Sequence, residues 1–213
     1  MIQYILFDLD NTLYSARYGL EDNVRRRMRE FLAAYLGISP EEAWRQRAER
    51  IGDYGTTLEW LVAERGFTGI EEYFAAVHPG DEADSLLPDP ALRNLLEKIP
   101  QPKAILTNSP REHADRILDK LKISGLFTHI FDIRGNGLKG KPRPEAFFRA
   151  FHAMGAAPGE VLFVDDIPAY VEGCRALGGR GVLLDENNAY PAYPHPKIRA
   201  LGELGEILNQ ENP

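Results

Sequence analysis

The run Tyr4-Ile-Leu-Phe, resumed at Leu9 and broken by Asp8 and Asp10, restricts the fold more than any other stretch. Adjacent apolar residues leave no face for solvent, so the segment reads as a strand covered on both sides. That is the condition of a strand inside a parallel sheet. Side chains alternate along a strand, which puts Asp8 and Asp10 on one side. Like carboxylates held close cost free energy unless a cation joins them or one takes a proton. The carboxyl ends of strands are also where open α/β sheets bind ligands. Stability alone gives no reason for such a pair, so it marks a candidate site.

From residue 89 onward the chain supplies the alternation that a parallel sheet needs. Asp89-Pro90 opens a helix carrying Leu92, Leu95, Leu96 and Ile99, and a short strand follows at Lys103–Thr107. Ser109-Pro110-Arg111-Glu112 caps a helix with Ala114, Ile117, Leu118 and Leu121, and His129–Ile133 is the next strand. After the flexible loop Gly135–Gly140, Pro144 opens a helix with Phe147, Phe148, Phe151 and Met154. Val161–Val164 is a strand ending in Asp165-Asp166, a helix runs to Leu177, and Gly181–Leu184 is the last strand. Tyr190–Pro196 reads as an ordered or extended loop and Ile198–Leu208 as a final helix.

Between them, residues 19–86 show helical spacing and no strand. Val24, Met28, Phe31, Leu32 and Tyr35 mark one helix, and Ser39-Pro40-Glu41-Glu42 is a capping box for a second. Leu58, Leu61 and Val62 mark a third, and Thr68-Gly-Ile-Glu71 is a capping box for a fourth. The organisation expected is one α/β domain, residues 1–18 and 87–213, interrupted by a small helical insert at 19–86. An insert that leaves just after Asp10 belongs over the strand ends, where a lid would sit. Arg25-Arg26-Arg27 reads as a solvated face of its first helix.

Composition narrows the partners. With 213 residues and 44% hydrophobic content, a sizeable core is affordable. A net charge of −7 argues against a nucleic-acid polymer. One cysteine excludes an intrachain disulfide and argues against a zinc cluster. No leader pattern and no membrane-length apolar run is evident, so the expected location is the cytoplasm, away from membranes. The sequence leaves the oligomeric state open.

Every strand end carries useful chemistry. Asp8 and Asp10 suit phosphoryl transfer through an aspartyl-phosphate, one carboxylate as nucleophile and the other as general acid and base. Mg²⁺ would neutralise the pair and orient a phosphate. Thr107-Asn108-Ser109 offers hydroxyl, amide and main-chain N–H groups to phosphate oxygens at a helix N-terminus. Lys141 supplies a point charge, and Asp166 completes an acidic ligand set with Asp8 and the Asp10 carbonyl, with Asp165 supporting it through water. The five histidines show no ligand spacing and read as surface or packed residues, with His78 set apart by its place in the insert.

Phe7-Asp8-Leu-Asp10-Asn11-Thr12-Leu13-Tyr14, Leu106-Thr107-Asn108, Lys141-Pro142-Arg-Pro144 and Val164-Asp165-Asp166 together resemble, in order, the four motifs of the haloacid dehalogenase-like hydrolases. The resemblance spans essentially the whole chain. It implies a Rossmann-like parallel core with a helical cap after the first motif. It also implies Asp8 as nucleophile, Asp10 as acid/base, Thr107 and Lys141 on the phosphoryl group, and Asp165 and Asp166 on Mg²⁺. The namesake dehalogenases lack an acid at the Asp10 position, so the implied activity is a phosphatase of small phosphomonoesters. The segments Asp10-Asn-Thr-Leu-Tyr14, Asp53-Tyr54-Gly-Thr-Thr-Leu58 and Val77-His78 are similar to the pyrimidine 5′-nucleotidase-like branch, and Tyr54 and His78, both in the insert, are the candidate substrate contacts. Other readings stay open. They are a phosphoglycolate or sugar-phosphate phosphatase, a phosphomutase and, outside enzymes, a phospho-receiver domain, against which the motif order argues. Ile167 and Tyr170 stand where the family often has Ser and Asn or Asp.

Overall fold

The computed structural model describes residues 1–211, and the chain divides into two compact units, residues 1–15 with those from Leu87 onward, and Ala16–Leu86. The first unit holds one sheet with strands β1 (Tyr4–Phe7), β2 (Lys103–Leu106), β3 (His129–Phe131), β4 (Val161–Asp165), β5 (Arg180–Leu184) and β6 (Lys197–Ile198). The spatial order is β3-β2-β1-β4-β5-β6, and every pairing is parallel. β1 lies between β2 and β4, with Phe7 level with Ile105 on one side and Val164 on the other. The strand order reverses at β1, so its carboxyl end opens into the crevice where such sheets bind ligands. Ile5, Leu6 and Phe7 are fully buried, as the continuous apolar run requires.

The helical unit contains α1 (Leu20–Leu36), α2 (Pro40–Tyr54), α3 (Thr57–Arg65) and α4 (Ile70–Val77). Ser39 caps α2 and Thr56 caps α3, each accepting from the main-chain N–H three residues on. The capping box expected at Thr68 does not form; Gly69 precedes α4 without a side-chain cap. Phe31, Phe67 and Tyr73 pack edge to face in the interior of this unit, Phe31 lying 5.8 Å from Phe67 and 5.2 Å from Tyr73. Trp60 and Leu61 are fully buried. Arg25 and Arg26 pair with Glu21 and Glu30 on the surface of α1, while Arg27 donates to the Val77 carbonyl at 2.7 Å.

The first unit is completed by α5 (Pro90–Lys98), α6 (Arg111–Leu121), α7 (Pro144–Met154), α8 (Pro168–Ala176) and α9 (Leu204–Glu211). Leu6, Leu106, Phe147, Phe151, Phe163 and Cys174 share one core cluster, with Phe147 and Phe163 edge to face at 5.3 Å.

Two expectations about the last third need correcting. Ile198 lies in a sixth strand rather than a helix: β6 continues the sheet by pairing with Leu183 and Leu184. The helix begins at Leu204, because Glu203 accepts from the main-chain N–H groups of Arg199 and Ala200 and starts a 3-10 turn. The loop before β6 is ordered around Asp185, which accepts from Ala189 N–H, Tyr190 N–H and Lys197 Nζ. No helix among the described residues is long and apolar enough to cross a membrane.

Candidate active site

The sheet ends at Phe7, and Asp8 is the first residue beyond it. Its N–H still donates to the Val164 carbonyl at 2.8 Å, which ties Asp8 to the end of β4. The chain then turns: the Leu9 carbonyl accepts from Thr12 and Leu13 N–H, with Asn11 in the left-handed region at φ 55°. Asp10 therefore sits in a turn rather than on a strand. Its nearness to Asp8 comes from that turn, not from the two-residue alternation expected of the sequence.

Asp8 is 6% exposed. Lys141 Nζ donates to its Oδ1 at 2.5 Å and Thr12 Oγ1 to its Oδ2 at 3.3 Å. The same ammonium donates to Asp165 Oδ2 at 2.6 Å, so one buried cation serves two buried carboxylates. Lys141 reaches this place because Asn108 grips its main chain from the end of β2. Asn108 Oδ1 accepts from Lys141 N–H at 2.7 Å, and Asn108 Nδ2 donates to the Lys141 carbonyl at 3.0 Å. The Asn108 amide thus holds the lysine loop.

Tyr170 explains how one departure from the family pattern is accommodated. Its hydroxyl accepts from Asn108 Nδ2 at 3.3 Å, and its ring lies 5.1 Å from Lys141 Nζ, which is also 5.4 Å from the Phe163 ring. The residue supports the lysine through its ring face instead of supporting an acidic ligand. Burial pushes its phenol up to about 12, so it stays a neutral hydroxyl. Ile167, the other departure, contributes its main chain, its N–H donating to Asp165 Oδ1 at 2.8 Å.

Thr107 is buried, and its hydroxyl accepts from Ser109 N–H at 3.0 Å. Ser109 does not cap α6. Pro110 occupies the N-cap position with no side-chain cap, and Ser109 Oγ donates to Asp10 Oδ2 at 3.0 Å. Asp10 Oδ1 accepts from Tyr14 Oη at 2.5 Å and meets His113 Nε2 at 2.7 Å. The sequence places His113 among surface or packed histidines, and it is packed, but its contact with Asp10 is not foreseen. The available signal was its position: it shares the buried face of α6 with Ala114, Ile117, Leu118 and Leu121. A histidine on such a face needs a polar partner.

Asp8, Asp165 and Asp166 each offer an oxygen, and these atoms lie within 4.8 Å of one another. Burial first, then the neighbouring Asp165, Asp166 and Asp10, hold the Asp8 carboxyl well above the ordinary range, against the pull of Lys141. Asp165 is raised for the same leading reason, burial. Burial would lower the Lys141 ammonium, but Asp165 and Asp8 reverse that and raise it. The cluster is thus short of positive charge, and its donors are all oxygens. That donor set suits a hard divalent cation.

The sign of the linkage follows. A carboxyl raised in the folded state stabilises most below its unfolded value, about 4, and that contribution is lost as pH rises through the folded value. A cation reverses the loss by replacing the proton. Mg²⁺ is therefore expected to raise the melting temperature more at pH about 8 than at pH about 5. Equal shifts at both, read by calorimetry, would place the ion elsewhere.

The two remaining sequence candidates lie in the helical unit. Tyr54 is half-buried at the end of α2, its phenol raised by burial and by a hydrogen bond to Glu64. That carboxylate also accepts from Trp60 Nε1 and Arg50 Nε, each at 2.9 Å. His78 Nδ1 meets Glu82 Oε2 at 3.0 Å, and Arg27 lies 3.7 Å from the same oxygen.

Residues 2–178 match the haloacid dehalogenase-like hydrolase family. A phosphoglycolate phosphatase of Pseudomonas syringae pv. syringae is 26% identical over 220 residues, covering 96% of this chain and 78% of its own. The validoxylamine A 7′-phosphate phosphatase of Streptomyces hygroscopicus subsp. limoneus is 25% identical over 188 residues, covering 84% and 83%. The crystal structure of a phosphatase of this class from Thermococcus onnurineus superposes with a TM-score of 0.66 at 22% identity, over 97% of this chain and 98% of that one. Its weight is on the fold. With the family match spanning most of the chain and its four motifs gathered at the ends of adjacent strands, the chain belongs to the haloacid dehalogenase-like hydrolases.

Proposed function

We propose that the protein is a Mg²⁺-dependent phosphatase of small phosphomonoesters that works through an aspartyl-phosphate on Asp8. The observation that carries this reading is the second carboxylate. Asp10 lies beside Asp8 and is clasped by Tyr14, Ser109 and His113. Loss of a halide needs no acid, whereas an alkoxide leaving from phosphorus does. The names of the two curated relatives point the same way.

In the first half-reaction an Asp8 oxygen attacks phosphorus, the ester bond breaks, and Asp10 gives its proton to the leaving oxygen. In the second, Asp10 takes a proton from water, the water oxygen attacks phosphorus, and Asp8 leaves as the carboxylate. Lys141 holds Asp8 in line and balances its charge, Asn108 and Tyr170 hold Lys141, and Thr107 contributes to the phosphoryl cradle. Asp8, Asp165 and Asp166, with the Asp10 carbonyl, would hold Mg²⁺, which when bound neutralises these carboxylates and draws charge from the phosphoryl oxygens.

The helical unit Ala16–Leu86, spliced in just after the turn that carries Asp10, is assigned as the substrate-selecting cap. The short segments around Tyr54 and His78 favour a pyrimidine nucleoside 5′-monophosphate, while one relative's name puts phosphoglycolate beside it.

Phosphate release from pyrimidine and purine 5′-monophosphates, phosphoglycolate and sugar phosphates, with Mg²⁺ and with a chelator, tests the reading. Cation-dependent release from at least one substrate is expected, and release from none would refute it. Asp10→Asn should still form phosphoenzyme from a substrate with a good leaving group, and lose about 10²–10⁴-fold in its hydrolysis. Trapping of ³²P-labelled protein reads this directly, and hydrolysis at the wild-type rate would remove Asp10 from the mechanism.

A further inference from the structure

His113 lies outside the four motifs that define the family resemblance, yet it reaches the proposed acid/base. It is 1% exposed, stands in the first turn of α6, and its Nε2 is 2.7 Å from Asp10 Oδ1. The phenol of Tyr14 donates to that same oxygen at 2.5 Å. Ser109 Oγ donates to the other oxygen at 3.0 Å.

These donors come from two separate parts of the chain. Tyr14 belongs to the loop of Asp10 itself, folded back by the turn over Leu9 to Leu13. Ser109 belongs to the link between β2 and α6 and His113 to the first turn of α6, both following the strand next to β1. A carboxyl in a turn has no sheet to fix its side-chain torsions. Bonds from two rigid segments supply that restraint.

The chemistry of each donor gives the two oxygens different duties. In the tautomer that suits a carboxylate, the imidazole offers an N–H and cannot accept at that nitrogen. A proton on Oδ1 would face that N–H. A serine hydroxyl can donate or accept, so it follows Oδ2 through both protonation states.

We propose that His113, assisted by Tyr14, is a positioning residue that fixes the Asp10 carboxyl and directs its transferable proton to Oδ2. This rests on the phosphatase reading above. The predicted consequence depends on the leaving group. An alkoxide must be protonated as it departs, whereas a p-nitrophenolate departs without help. Losing the restraint should therefore harm alkyl esters selectively.

The experiment compares kcat/KM for an alkyl phosphomonoester and for p-nitrophenyl phosphate in the Mg²⁺-loaded wild type, His113→Ala and His113→Gln. This quantity reports steps up to phosphoryl transfer to Asp8, so later hydrolysis does not obscure it. His113→Ala is expected to lose about 10²-fold on the alkyl ester and less than about threefold on the aryl ester. The Gln side chain can place an N–H near the position of Nε2, and it should recover about tenfold of the alkyl loss.

Equal losses on both esters, or a Gln variant no better than Ala, would overturn the proposal. If His113→Ala does not fold, Tyr14→Phe removes one hydroxyl with no loss of ring volume and carries the same comparison. A wild type that hydrolyses neither ester refutes the phosphatase reading itself. An active wild type with an unchanged alkyl-to-aryl ratio in the variants refutes only the positioning role.

Discussion

Asp8→Asn is expected to abolish turnover while leaving the protein at least as stable as before. The amide has the size of the carboxylate but is no nucleophile, so loss of the covalent step should cost about 10⁴-fold or more in kcat. The stability half of this prediction is less obvious and more diagnostic. Asp8 is buried among Asp165, Asp166 and Asp10 with a single lysine shared between two of them, and its carboxyl is held well above its ordinary range. Without a cation, its charged form therefore opposes folding near neutral pH. An amide removes that charge, still accepts from Lys141 through its carbonyl, and leaves the lysine its bond to Asp165. Metal-free Asp8→Asn should melt no lower than wild type, and its stability should fall less as pH rises. It should also lose most of its stabilisation by Mg²⁺. Scanning calorimetry with a chelator and with Mg²⁺ checks all three. Near-wild-type turnover would end the nucleophile assignment, and a large drop in metal-free stability would contradict the charge balance described for this cluster.

That a site so costly in charge exists at all was legible from the chain, because its elements are local. The buried run before Asp8, the strand ending in Asp165-Asp166 and the prolines opening α5 and α7 each act over a few residues. Convergence of these ends follows from parallel topology alone, since β2, β1 and β4 are neighbours. What escaped depends on contacts distant in sequence. Ser109 looked like a cap because serine before proline usually is one, and only the approach of Asp10 redirects its hydroxyl. The bonds of the Asn108 amide to the Lys141 main chain also form only when the loop carrying Lys141 returns to the end of β2. Tyr170 read as a departure from a pattern. In three dimensions its ring meets the lysine that Asp165 also holds. β6 escaped for a different reason: two residues are too few to show alternation, and pairing with β5 alone makes them a strand.

Lys141→Met should be the most destabilising single change in the site, and it separates charge from packing. Lys141 is 1% exposed, and methionine keeps an unbranched chain beside the rings of Phe163 and Tyr170. What it removes is the ammonium that donates to Asp8 and Asp165. Breaking a buried ion pair by deleting one partner costs about 3–5 kcal/mol, because the remaining charge stays desolvated. In a protein of this size each kcal/mol lowers the melting temperature by about 2–4 °C, so a drop of roughly 6–20 °C is expected in the metal-free state. Two further readouts identify the cause. With the lysine gone, both carboxyls should rise further, so the variant should lose stability more steeply than wild type between pH about 5 and about 8. Mg²⁺ should also raise its melting temperature by more than it raises that of wild type, because the ion then replaces the only nearby cation those two carboxylates were bonded to among the described residues. Stability would be partly restored and activity would not, since the lysine's hold on Asp8 is still missing. If the variant melts with wild type in chelator, the lysine is not balancing these charges, and the excess of negative charge that calls for a cation would have to be carried by other groups.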